Sequence, residues 1–105
     1  MDIEPLKDAH WAIVADCLKV FHGYPAGRAR SAALDLRQQL EKPKNPPPGY
    51  MTELLYNKEP FYRACEIARR DLSLDDHRAR YMQLTREHFA PAERLASAGE
   101  LRAAG

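Results

Sequence analysis

The sequence predicts an all-α protein of four main helices, arranged as two helical hairpins joined by a proline-rich connector. Two observations lead to this fold class: apolar residues recur at helical spacing in four segments, and glycine or proline residues separate most of these segments. The length of 105 residues suits one domain with one modest core. We expect a single helical domain over residues 1–90, with the connector at 42–49, followed by a short helix or flexible tail at 91–105.

The first helix, predicted over residues 6–21, carries two adjacent apolar stripes and only a narrow polar strip. A helix on a protein surface shows water a broad polar face, so this one is expected to be enclosed by other helices or by a second copy. Gly23 and Pro25 predict its end. The two stripes consist of Leu6, His10, Ile13, Cys17 and Val20, and of Trp11, Val14, Leu18 and Phe21.

The second helix, predicted over residues 26–41, has an inner face made mostly of alanine, which lets a neighbouring helix approach closely. This face consists of Ala29, Ala32, Ala33, Leu36 and Leu40. Four prolines in residues 42–49 then preclude a helix and favour an extended connector. An alternative interpretation takes residues 43–46 as a PxxP ligand for an aromatic-lined groove.

Residues 50–56 predict one or two helical turns with Leu54 and Leu55 facing inward, although a strand is also compatible with so short a segment. Asn57 is the predicted N-cap of the third helix. The inner face of that helix consists of Phe61, Ala64, Cys65, Ala68 and Leu72.

The fourth helix is predicted to begin after Ser73 as N-cap, to run to about Phe89 and to be stopped by Pro91. Its inner face consists of Leu74, His77, Tyr81, Leu84 and His88.

Composition and charge exclude several classes of protein. Sixteen basic and fifteen acidic residues leave a net charge of +1, so there is no overall attraction to nucleic acid or to an anionic membrane. The acidic N-terminus does not resemble a secretory signal, and no apolar run is long enough to span a bilayer. Cys17 and Cys65 both lie on apolar stripes, which favours buried, reduced thiols and a cytoplasmic location.

The sequence predicts no catalytic site, no cofactor and no metal site. His10 and Cys17 lie two helical turns apart, about 10 Å, which is too far for one zinc ion. A metal site would need histidines of two helices to converge, whereas a histidine held by a carbonyl or carboxylate is the ordinary outcome. A nucleophilic Cys65 activated by Arg69 is disfavoured because apolar neighbours predict its burial. We therefore expect a protein that is not an enzyme.

An alternative function is nucleic-acid binding through residues 64–84, which have the outline of a helix-turn-helix. Asp75 and Asp76 count against it because they stand where the reading helix would approach phosphates. The side chains that could contact nucleic acid are Arg63, Arg69, Arg70, Arg78, Arg80 and Gln83.

The favoured function is a small regulatory, adaptor or immunity-type module that binds another protein or a second copy of itself. The first helix is apolar around more of its circumference than a small domain can easily cover. Trp11 and Tyr24 are residue types typical of interface anchors and are the predicted partner-binding residues.

Overall fold

Helices account for nearly all regular structure in this chain. The structure, a computed structural model, describes residues 3–104, except for the side chains of residues 53 and 98–104. Over this range it contains no strand, and the predicted all-α class is confirmed. The elements are α1 (Glu4–His22), α2 (Ala26–Glu41), a 3₁₀ helix (Thr52–Asn57), α3 (Pro60–Ala68) and α4 (Leu74–Ala104).

The helix α1 is the hub of the fold, because α2, α3 and α4 all pack against it. In the second apolar stripe Trp11 is 2% exposed, Val14 and Leu18 are fully covered, and Phe21 is half-buried. The chain's own helices provide this cover, so burial of α1 needs no second copy. The predicted central position of the first helix is confirmed.

The ends of α1 follow the signals in the sequence. Pro5 lies in the first turn, where the missing N–H has no helical partner to lose. At the other end Gly23 adopts the left-handed conformation with φ of +72°, and the N–H of Tyr24 bonds to the carbonyl of Leu18 at 3.0 Å. The end of the helix at Gly23 was predicted from the sequence.

The helix α2 runs back along α1, since Arg37 near its end reaches Asp8 near the start of α1 at 2.8 Å. Ala29 and Ala33 are buried on the predicted inner face. The non-helical residues 42–51 follow, and then the 3₁₀ helix. There the expected inward orientation of Leu54 is wrong, because 58% of this residue is exposed, while Leu55 is half-buried.

The helix α3 is shorter than the sequence pattern indicates. Its N-cap is Glu59 rather than Asn57, and it ends at Ala68 rather than near Leu72. The cause of the early end is Arg69, which takes a left-handed φ of +54° and donates its backbone N–H to the Glu66 carbonyl. The N–H of Arg70 closes the turn on the Cys65 carbonyl.

The helix α4 passes through Pro91, so the prediction that this proline stops it is wrong. Residues 91–104 continue the helix instead of forming a separate short helix or tail; residue 105 lies outside the described range. A proline inside a helix removes one hydrogen bond and crowds the preceding turn. Burial of Ala92 and Ala96 beyond it, at 6% and 1% exposure, offsets that cost.

The contacts around α1 differ from a simple pair of hairpins. Both α3 and α4 pack mainly against α1, and they meet each other where the rings of Phe61 and Tyr81 lie 5.5 Å apart. The pairing into hairpins therefore stays a prediction. Within the described part of the chain, no helix combines the length and apolarity needed to cross a bilayer.

Candidate binding cleft between α1 and α4

An open cleft of about 440 Å³ lies beside the N-terminal half of α1. The second half of α4 runs past the first turns of α1, and the 3₁₀ helix closes the third side. Among the described residues its walls are mainly apolar, and the charged members are a lysine and a glutamate. The lining residues are Ile3, Leu6, Lys7, His10, Tyr56, Phe89 and Glu93.

His10 is the unusual member of this lining. It is 3% exposed, and its ring meets those of Trp11 and Tyr56 edge-to-face at 5.1 and 5.0 Å. Its Nε2 is buried without a hydrogen-bond partner among the described residues. Burial, and then the positive charges of Arg63 and Arg37, lower the pKa of His10 to about 4. The imidazole is therefore neutral at pH 7.

A chain of polar contacts supports the cleft from behind. Trp11 donates its indole N–H to the Tyr56 hydroxyl at 3.0 Å, and Tyr56 donates in turn to Glu41. Arg37 joins Glu41 at 3.2 Å and Asp8 at 2.8 Å. Partial burial opposes ionisation of Glu41, but the hydrogen bonds from Tyr56 and Arg37 prevail and lower the pKa of that carboxyl. These contacts fix the ring of Tyr56 as a rigid wall.

The two predicted partner-binding residues are not on this surface. Trp11 is 2% exposed, so contact with a partner would require the core to open. Tyr24 is half-buried after the end of α1, with the guanidinium of Arg28 at 4.4 Å from its ring centroid. The structure does not bring the two residues together, and partner binding through either stays a prediction.

The residues of the nucleic-acid hypothesis are only partly available. Arg63 is 7% exposed and donates to the Leu55 carbonyl at 2.9 Å, so it serves the fold. Arg78 is paired with Asp75 at 2.5 Å. The other four residues, Arg69, Arg70, Arg80 and Gln83, are exposed. The start of α4 carries Asp75 and Asp76, as the sequence suggested, and nucleic-acid binding stays a prediction.

The four histidines do not form one cluster. His88 lies 2.6 Å from Asp16, which is the carboxylate-held arrangement expected for an ordinary histidine. His22 is close enough to His77 for the charge of His77 to contribute to lowering the pKa of His22, after burial and Arg70. No group of three or more His, Cys, Asp or Glu residues with metal-binding geometry occurs in the part of the chain that the structure describes.

Both cysteines are buried free thiols, as predicted. Burial is the main cause that raises the pKa of Cys17 to about 12, with smaller effects of Asp16 and Cys65. A thiol in this state is protonated and unreactive at neutral pH. Cys65 is 5% exposed and is thereby shielded from reagents.

Sequence reasoning missed the cleft because two of its walls depend on long-range packing. A fourth helix that ends near Phe89 leaves Glu93 outside it. Residues 50–56 predict a short helical segment, which gives no sign that Tyr56 forms a wall. His10 was assigned to the correct stripe, but its spacing gave no sign that Nε2 lacks a partner.

Comparison of the chain with protein-family models, curated proteins and solved structures finds no match.

Proposed function

We propose that this protein is a small interaction module of regulatory or adaptor type that binds another protein through the α1–α4 cleft. The observation that carries the proposal is an open cleft with apolar walls and charged residues at its edge. Protein interfaces typically have this anatomy, an apolar centre with a polar rim. The volume of about 440 Å³ falls in the ~300–1,000 Å³ range of ligand pockets, enough to receive an anchoring side chain.

The cleft is a better binding surface than the hub stripe of α1. That stripe is covered by the chain's own helices, as the burial of Trp11 illustrates. In contrast, Ile3 is 45% exposed at the cleft and Leu6 is half-buried in its wall. Covering such apolar surface with a partner gains about 25 cal/mol per Å² removed from water.

The same proposal makes the protein non-enzymatic and cytoplasmic. The two thiols are buried, and among the described lining residues there is no serine, threonine or cysteine that His10 could activate as a nucleophile. This supports a binding role for the cleft. Free thiols suit a reducing compartment.

The experiment compares two variants that each place one carboxylate on an exposed aliphatic residue. Ile3→Glu alters the cleft, whereas Leu34→Glu on α2 is a matched control outside it, at 50% exposure in the native chain. A carboxylate near the start of α1 is favourable to the helix dipole, so Ile3→Glu should not unfold the protein. Tagged proteins would be used for quantitative capture from the native host, with and without nuclease.

The expected result is a protein held by the wild type and by Leu34→Glu but reduced at least about tenfold with Ile3→Glu, since about 1.4 kcal/mol suffices for that. Equal capture by all three proteins would contradict binding at the cleft. Capture that disappears after nuclease treatment would instead support the nucleic-acid hypothesis.

A further inference from the structure

We infer that the group received by the cleft is the phenol side chain of a tyrosine on the partner protein, with its hydroxyl paired to Nε2 of His10. This inference rests on the proposed function and names the chemistry of the partner's anchor. It depends on three observations: the unpartnered nitrogen, the aromatic lining and the neutral state of the His10 imidazole.

The unpartnered nitrogen marks a missing polar contact. A buried nitrogen without a hydrogen bond is unfavourable, and native structures contain few of them. His10 is only 3% exposed and also lines the cleft, so a group that enters the cleft is well placed to supply the missing hydrogen bond. An aliphatic anchor such as leucine would fill the cleft but leave this nitrogen unpaired.

The aromatic surroundings favour a ring over a short polar group. His10 already packs edge-to-face against Trp11 and Tyr56, and Phe89 faces the same space from α4. A further ring extends this packing in the offset or edge geometry that aromatic groups prefer. The ring can also fill the volume between Leu6 and Phe89.

A phenol suits the protonation state of His10 better than an indole or a carboxylate does. Neutral imidazole presents Nε2 either as a donor or as an acceptor, depending on the tautomer. A phenol hydroxyl matches both, whereas the indole N–H of tryptophan only donates. A carboxylate would have to leave water for an apolar wall that also contains Glu93, which disfavours an acidic anchor.

The side chain of Lys7 belongs to the same cleft wall as His10. Its ammonium lies 5.6 Å from the ring centroid of Tyr56 and 3.5 Å from Glu4. Nε2 is buried, so a hydroxyl reaches it only after a side chain of the cleft wall moves. Lys7 is the wall residue with the longest flexible side chain, although only 19% of that side chain is exposed.

The test uses p-cresol, the analogue of a tyrosine side chain, and toluene, the matched phenylalanine analogue. Wild-type protein with ¹⁵N-labelled histidine would be titrated with each compound and followed by NMR. We expect p-cresol to bind with a Kd on the order of 1 mM and about fivefold to tenfold more tightly than toluene. The Nε2 resonance of His10 should shift by several ppm with p-cresol and much less with toluene.

The variant His10→Phe keeps an aromatic ring between Trp11 and Tyr56 but removes the nitrogen. It should bind the two compounds within a factor of about two of each other, and His10→Gln should restore part of the preference for p-cresol. If these variants do not fold, the Nε2 shift in the wild type still decides the question.

Equal affinity of the wild type for both compounds, no binding of either, or an unchanged Nε2 resonance would overturn the inference about tyrosine. In each case loss of the partner by Ile3→Glu would leave the proposed function intact. Conversely, selective binding of p-cresol together with full partner capture by Ile3→Glu would assign the cleft to a free phenol and overturn both proposals.

Discussion

The two halves of α1 are buried in different ways. In the C-terminal half, Ile13, Cys17 and Leu18 are fully covered and contact apolar or aromatic side chains of the other helices. In the N-terminal half, His10 and Trp11 are covered almost as well, but their neighbours include polar and charged groups and an open cleft. The C-terminal half stabilises the fold through close packing. The N-terminal half has polar groups in place of some of that packing, among them the unpaired Nε2 of His10, whereas the unpaired ring nitrogens of the C-terminal half belong to His22 at the end of the helix.

The largest expected effect compares the loss of one aromatic ring beside each half of α1. Phe61→Ala should lower the free energy of unfolding by about 3–5 kcal/mol, because Phe61 is fully buried against Phe21 and Tyr81. Phe89→Ala, at the half-exposed wall of the cleft, should cost about half of that or less. Urea denaturation of both variants measures the difference, and equal losses would remove the distinction between the halves.

The second prediction concerns acid and tests His10 in the N-terminal half. The pKa of His10 is about 4 in the folded protein against 6.5 for an ordinary histidine, so the unfolded chain binds a proton more readily. Stability is therefore unaffected well above pH 6.5, falls as the pH drops below that value and stops falling from this cause below about pH 4. Between pH 7 and 5 the loss from His10 is about 2 kcal/mol.

His10→Phe should flatten this pH dependence without abolishing it. His22 also has a lowered pKa, with burial as the main cause, and contributes in the same direction. Urea denaturation at pH 7, 6 and 5 gives the slopes for the wild type and the variant. A variant with the wild-type slope would show that His10 does not carry the acid sensitivity.

The sequence predicted helix boundaries well where backbone chemistry enforces them and poorly where packing does. Gly23 and Pro25 mark the end of α1 because glycine adopts positive φ freely and proline cannot continue a helix. The end of α3 has no such signal, since Arg69 takes the left-handed conformation that usually belongs to glycine. From the sequence alone, an arginine in that position predicts that the helix continues.

Pro91 shows the opposite error, in which a strong local signal is outweighed by tertiary contacts. Its cost to the helix is local, whereas the burial of Ala92 and Ala96 depends on packing with distant parts of the chain. This error also hid the cleft, because Glu93 forms part of its wall only if the helix continues past Pro91. The apolar stripes of α1 could be predicted, but which neighbours leave His10 unpaired is decided by three segments far apart in sequence.

The smallest expected effect compares two tyrosines whose hydroxyls each donate a hydrogen bond to a glutamate. Tyr56 lies beside the N-terminal half of α1, and Tyr81 lies beside the C-terminal half. Tyr81, at 4% exposure, donates to Glu59 at 2.6 Å, and half-buried Tyr56 donates to Glu41. Burial alone would make Tyr81→Phe the costlier change, and the buried Phe61 N–H also loses its 3.4 Å bond to this hydroxyl. That bond is long and weak, however, and Glu59 is exposed, so water can replace the hydroxyl at the carboxylate.

Removing the Tyr56 hydroxyl also deprives Trp11 Nε1 of its partner inside the core, where water does not reach it. We therefore expect Tyr56→Phe to cost about 2 kcal/mol and Tyr81→Phe about 1 kcal/mol. Because Trp11 is the chain's single tryptophan, its fluorescence should also change in Tyr56→Phe and hardly in Tyr81→Phe. A larger loss of stability for Tyr81→Phe would mean that depth of burial, rather than the unsatisfied polar partner left behind, sets the cost in both halves of α1.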